Sequence, residues 1–151
     1  RWGAGVSPMP DTLSSRSEAL PLLAFLIVLG ATLGALFIGE VLGQMPCVLC
    51  WYQRIAMFPL VPILAIGLWR QDAGARLYAL PLVLAGLAIA LWHSGLYAGL
   101  IPESVSPCTK DGPSCSDRGQ MAILGLPIPY LSLGAFTATA LCLIFMKGKR
   151  S

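Results

Sequence analysis

Charge is what this chain has least of. Only 11% of its 151 residues are charged and 56% are hydrophobic, whereas soluble domains carry about 25% charged residues. So little polar surface cannot cover a core of this size. An ordinary soluble globule is therefore excluded, and lipid becomes the natural solvent, in keeping with a mean hydropathy of +0.75. Histidine is scarce as well, His93 being the single one. No glycine fingerprint follows a strand, so the phosphate cradle of nucleotide and flavin sites is missing. No nucleic-acid partner is expected. The net charge of +3 is modest, and its distribution along the chain carries more information than its sum. An initiating Met is also lacking: a start at Arg1 is what a fragment or a processed form would show.

What the chain does have is long apolar runs. Residues 19–39 form a 21-residue stretch without a charge, longer than the roughly 7–15 residues of a signal-peptide core. This stretch reads as a retained helix. A helix needs about 20 apolar residues to cross roughly 30 Å of hydrocarbon. Residues 77–102 and 119–146 also meet that requirement, the last spanning from Pro127 or Pro129 because turn formers precede it. Residues 55–69 are 15 uncharged residues, about 22 Å of helix at 1.5 Å per residue. They span only when extended back toward Cys47, which places Arg54 in the first turns. Pro59 and Pro62 are expected to bend this helix, which neighbouring helices tolerate in a membrane. The expected fold is all-α: one four-helix integral membrane domain over residues 1–151. Its spans are about 19–42, 50–69, 77–100 and 127–146, with loops at 43–54 and 101–126.

Basic residues orient the bundle. Arg1, Arg16, Arg70, Arg76, Lys147, Lys149 and Arg150 fall on one side, and Arg54, Lys110 and Arg118 on the other. The positive-inside rule then puts both termini in the cytoplasm. The two outward loops hold Cys47, Cys50, Cys108 and Cys115, on the side where disulfides persist. Cys142, inside the fourth span, reads as a small buried hydrophobe.

Cys47 and Cys50 form a C-x-x-C at a helix start, where unpaired N–H groups and the helix dipole favour an anion. Arg54, four residues after Cys50, adds a charge that does not titrate away. Together they point to a reactive thiolate at Cys50. The alternatives are a snorkelling arginine, half of a four-cysteine zinc site completed by Cys108 and Cys115, and a static disulfide. Redox chemistry is the favoured reading, and no metal is assigned. Cys108 and Cys115 lie in a segment rich in Pro and Gly, so they can pair without forcing the chain, and an exposed disulfide suits exchange with a protein. The apolar run 121–126 is suited to lie on the membrane surface and hold that loop over the helix ends. His93 falls in the outer half of the third span, where it either hydrogen-bonds a ligand or satisfies a neighbouring helix. Glu40 either pairs with Arg54 or faces headgroups, the latter being favoured.

The run Met45-Pro46-Cys47-Val48-Leu49-Cys50-Trp51-Tyr52-Gln53-Arg54 resembles the signature of the disulfide bond formation protein B (DsbB) family of bacterial inner membranes. The likeness extends over almost the whole chain: the four-span layout, the histidine in span three, the second cysteine loop and the stretch from Pro127 to Leu133. Glu40 suggests the short-loop branch. The resemblance implies a quinone-dependent oxidase, using ubiquinone or menaquinone, that regenerates a DsbA-type periplasmic thioredoxin-fold oxidase. It implies that Cys50 meets the quinone, Arg54 stabilises that complex and His93 lies near it. Cys47 is then the disulfide partner of Cys50, Cys108 the cysteine attacked by the partner protein, and Cys115 the one that exchanges with Cys47. The second pair is spaced more closely than in the better-studied members, which leaves the relay order open. A DsbA-type partner sits near about −120 mV, so the acceptor must be comparably oxidising. The rival expectations are a membrane thiol reductant, a quinone reductase of the vitamin K epoxide reductase type, or a non-catalytic subunit clipped by zinc or disulfides.

Overall fold

The computed structural model describes residues 12–105, 112–119 and 122–146, with side chains from residue 19 onward. Helix α1 (Thr12–Leu36) continues through a π-helical turn (Phe37–Val41). Then come α2 (Val48–Met57), α3 (Leu60–Arg70), α4 (Ala75–Tyr97) and α5 (Ile128–Phe145). Four segments are long and apolar enough to cross a membrane: Ala19–Val41, Val48–Arg70, Ala75–Tyr97 and Ile128–Phe145. The chain is an all-α membrane bundle.

In lipid, polarity does not sort the faces of a helix, because the surroundings are as apolar as the core, and size takes over. The inward stripe of α4 is Ala79, Val83, Gly86, Ala90 and His93, all buried. Its steps alternate between four and three residues, the seam of a left-handed pair. Gly86 lets Phe136 of α5 come so close that a Cβ there would collide with the Phe136 ring. On α1 the buried residues are Ala24 and Val28, while Leu22, Leu26, Leu33 and Phe37 face outward, about half exposed.

The second span is broken at Phe58–Pro59, as its prolines lead one to expect. Below the break α3 packs on both α1 and α4; above it α2 leans mainly on α4 and only lightly on α1. The half of the bundle that carries Cys47 and Cys50 is left open between α1, α2 and α5. At the opposite end Arg76 donates to the Met146 carbonyl at 2.5 Å, satisfying an orphan acceptor at the end of α5.

Helix α4, the third span, stops sooner than its apolar run, at Ala98–Gly99, where Gly99 has a φ of +79°. Residues 122–127, expected as part of an irregular loop, form a small hairpin of β1 (Ala122–Ile123) and β2 (Leu126–Pro127). Its turn places Leu124 and Gly125 at φ +52° and +81°, the primed geometry that closes two-residue hairpins. Leu124 is 98% exposed at the tip.

Candidate functional site

Cys47 precedes α2 in extended conformation and is its N-cap, so Cys50 falls in the first helical turn. That geometry turns both sulfurs to the same side, with Sγ atoms 3.2 Å apart in hydrogen-bond contact. Both are free thiols. A closing movement of about 1 Å would bring them to disulfide length.

His93 is fully buried beneath the pair. Gln53, one turn after Cys50, donates from Nε2 to His93 Nδ1 at 3.2 Å. The ring proton of the neutral imidazole then belongs on Nε2. That nitrogen lies 3.2 Å from the Cys115 carbonyl oxygen and 3.9 Å from Cys47 Sγ. One imidazole thus joins the loop, the dithiol and α2. The Cys47 thiol, just outside the second span, is drawn down to about 5, mainly by its hydrogen bond with Cys50. His93 helps, and burial opposes. Helix-start chemistry and Arg54 alone point to a thiolate at Cys50; hydrogen bonding makes Cys47 the first seat of charge.

Cys115 is buried against Cys47, Leu49 and Leu96 and is disulfide-bonded. Cys108, its expected partner, lies outside the described residues, as does Lys110. The loop is tethered beyond its cysteine: Ser116 donates to Glu103, and the Arg118 guanidinium lies 5.9 Å from the Tyr97 ring centre. Tyr97 in turn meets Tyr130 of α5 edge-on at 5.5 Å.

Arg54 turns away from the sulfurs toward α1. Its Nη2 donates to the Ala35 carbonyl at 2.8 Å, and its Cζ lies 5.4 Å from the Trp51 ring centre. Gly39, in the π-helical turn, makes room for it: a Cβ there would meet Nη2 at 3.1 Å. Glu40 forms no ion pair with Arg54 among the described residues, in keeping with the headgroup-facing alternative.

Where α2 leans away, a cavity of about 450 Å³ opens between α1, α2 and α5, within the size range of small-molecule sites. Cys47, Cys50, Gln53 and Arg54 form its polar wall; Phe136 and Met57 belong to its apolar lining. Leu26 and Leu131, also lining it, are about half exposed on the outside of the bundle. The cavity therefore opens toward the side that lipid would occupy. Five of the six expected site residues are described: Cys47, Cys50 and Arg54 line the cavity, while His93 and Cys115 lie against Cys47 on its other side. The residue missed in the sequence is Gln53. A buried glutamine inside a membrane span must find a partner, and that was the available signal. Cys142, by contrast, sits in the apolar core.

Comparison with known proteins agrees with this arrangement. The family described as "Disulfide bond formation protein DsbB" matches residues 17–146. A "Probable disulfide formation protein" of Metapseudomonas resinovorans is 50% identical over 142 residues, covering 94% of this chain and 96% of its own length. "Disulfide bond formation protein C" of Bacillus subtilis is 34% identical, covering 85% and 92%. A "Probable disulfide formation protein" of Chlamydia trachomatis is 39% identical, covering 84% and 90%. No solved structure matches. A paired dithiol at a membrane helix start, a disulfide-bonded cysteine packed over it and a match along nearly the whole chain have one meaning: this is a disulfide-forming oxidoreductase of the bacterial inner membrane, and it belongs to the DsbB family.

Proposed function

We propose that the protein is a thiol:quinone oxidoreductase that reoxidises a DsbA-type periplasmic thioredoxin-fold oxidase and passes two electrons to ubiquinone or menaquinone. The observation that carries this reading is the placement of Cys50 and Arg54 in the wall of an apolar cavity that opens toward lipid. A quinone bound there supplies a two-electron, two-proton acceptor. The cavity fits such a group: its lining is largely apolar, and Arg54 spends one of its five N–H donors on Ala35, leaving others for a carbonyl oxygen.

The chain's own residues carry the rest. A thiolate of the partner attacks Cys108 of a Cys108–Cys115 disulfide, and Cys115 leaves as a thiolate. The partner's second thiol displaces Cys108, so the partner departs oxidised and the loop is reduced. Cys115 then attacks Cys47 of an oxidised Cys47–Cys50 pair; Cys50 leaves and Cys108 displaces Cys47, restoring the loop disulfide. The burial of Cys115 beside Cys47 supports this order. Cys47 and Cys50 are then both thiols, as they are here. Ionisation begins at Cys47, and the 3.2 Å sulfur–sulfur contact passes the remaining proton between the sulfurs, so that charge reaches Cys50 on the cavity side. Closure of Cys47–Cys50 releases two electrons and two protons.

The test uses purified protein in detergent with a reduced thioredoxin-fold oxidant and a soluble quinone. Quinone reduction is expected, and it disappears in Cys50→Ser. Arg54→His raises the KM for quinone before it abolishes turnover. Full quinone-linked activity in Cys50→Ser would sink the reading. A variant lacking Cys115, given the partner in its oxidised form, is expected to trap it on Cys108 as a mixed disulfide.

A further inference from the structure

The reduced dithiol and the imidazole beneath it have a second chemistry. Cys47 Sγ, Cys50 Sγ and a ring nitrogen of His93 all lie within 4.8 Å of one another, with Cys47 and His93 buried and Cys50 half-buried. Zinc holds sulfur at about 2.3 Å and imidazole nitrogen at about 2.0–2.1 Å in a tetrahedron. Those lengths imply sulfurs about 3.8 Å apart and about 3.6 Å from the nitrogen. The observed 3.2 Å between sulfurs and 3.9 Å from Cys47 Sγ to His93 Nε2 are each within about 0.6 Å of these values.

We propose that the reduced protein carries a zinc site made by Cys47, Cys50 and His93, which oxidation of the cysteine pair abolishes.

Three further features favour the ion. Two thiolates and a neutral imidazole give Zn²⁺ a net charge of zero, the form a buried site beside hydrocarbon accepts best. Cys47, Cys50 and Gln53 border the cavity, so a fourth position is open to water, as in three-ligand zinc sites. Gln53 already holds His93 Nδ1. With its amide turned over, its Oε1 accepts a hydrogen bond from Nδ1–H of the other tautomer, which leaves the Nε2 lone pair for the metal, the outer-shell contact that orients zinc-binding histidines. Binding releases whatever protons remain on the two sulfurs, and a zinc-bound pair cannot close to a disulfide. The site is distinct from a four-cysteine centre, because Cys115 is itself disulfide-bonded and meets His93 through its backbone carbonyl. Nothing in it depends on which electron acceptor the protein uses.

The full chain carrying Cys108→Ser and Cys115→Ser is reduced in detergent, freed of reductant and titrated with Zn²⁺ against a chromophoric chelator. One zinc per chain is expected, and none after oxidation of Cys47 and Cys50. Co²⁺ in the same site should give thiolate charge-transfer bands with tetrahedral d–d bands. Gln53→Leu should bind about tenfold more weakly, and His93→Ala more weakly still, with an altered Co²⁺ spectrum. Absence of zinc binding overturns the proposal. So does equal binding by the oxidised protein or by Cys50→Ser, an affinity unchanged in both Gln53→Leu and His93→Ala, or binding that requires Cys108 and Cys115.

Discussion

His93 touches groups from three parts of the chain, and its worth comes from that position. Through Nδ1 it meets Gln53, and through Nε2 it lies beside the Cys115 carbonyl and the Cys47 sulfur. Because Cys47 is drawn down to about 5, its thiolate should be present above that pH and lost as pH falls through it. Thiolate ultraviolet absorbance of the reduced Cys108→Ser/Cys115→Ser protein, followed against pH, should show a first step near 5. In His93→Ala that step should move up toward the ordinary thiol value of about 8.5; an unmoved step would remove His93 from the account. At this scale much was legible beforehand. The C-x-x-C at a helix start, the arginine four residues on and the lone histidine of the third span are all plain in the sequence; Cys47, Cys50 and His93 lie together, and Arg54 shares the cavity wall with the two cysteines. Which sulfur ionises first was not legible, since that depends mainly on how the pair shares its hydrogen bond and further on an imidazole 46 residues away in sequence.

Among the helices, the contact of α4 with α5 sets the floor of the cavity. Phe136 is packed on Gly86 on one side and lines the cavity on the other. Gly86→Ala must displace a fully buried ring, and overpacking of this kind destabilises by about 1–3 kcal/mol. The same displacement should push Phe136 toward the cavity and raise the KM for quinone. Thermal unfolding in detergent and steady-state kinetics measure the two effects, and a variant of unchanged stability and KM would show that the ring has room elsewhere. The existence of the helices was plain from hydropathy, and the break at Pro59 from composition. Their packing faces were hidden, because lipid-facing Leu22 and core-facing Ala24 are both apolar and differ chiefly in size. Nor could apolar runs foretell the π-helical turn that seats Arg54 over Gly39, or the hairpin at 122–127, whose turn rests on a left-handed leucine.

For the whole molecule, the unequal spread of Lys and Arg argues that both chain ends face the cytoplasm and both cysteine pairs the periplasm. Single cysteines introduced at Ser17 and Asp117, in a background without native cysteines, should react with an impermeant maleimide on intact cells only at position 117. Labelling at 17 alone would invert the topology and, with it, the proposed partner. The count of spans needed only the sequence, whereas the gap between them needed the fold: α3 packs on α1 and α4 alike, and α2 mainly on α4. That gap is reached past Leu26 and Leu131, and its doorway gives onto hydrocarbon instead of water. Whatever fills it is drawn from a two-dimensional reservoir. Occupancy then follows the guest's mole fraction among the lipids, so enlarging the bilayer at a fixed amount of guest empties the chamber even though nothing in the aqueous phase has changed.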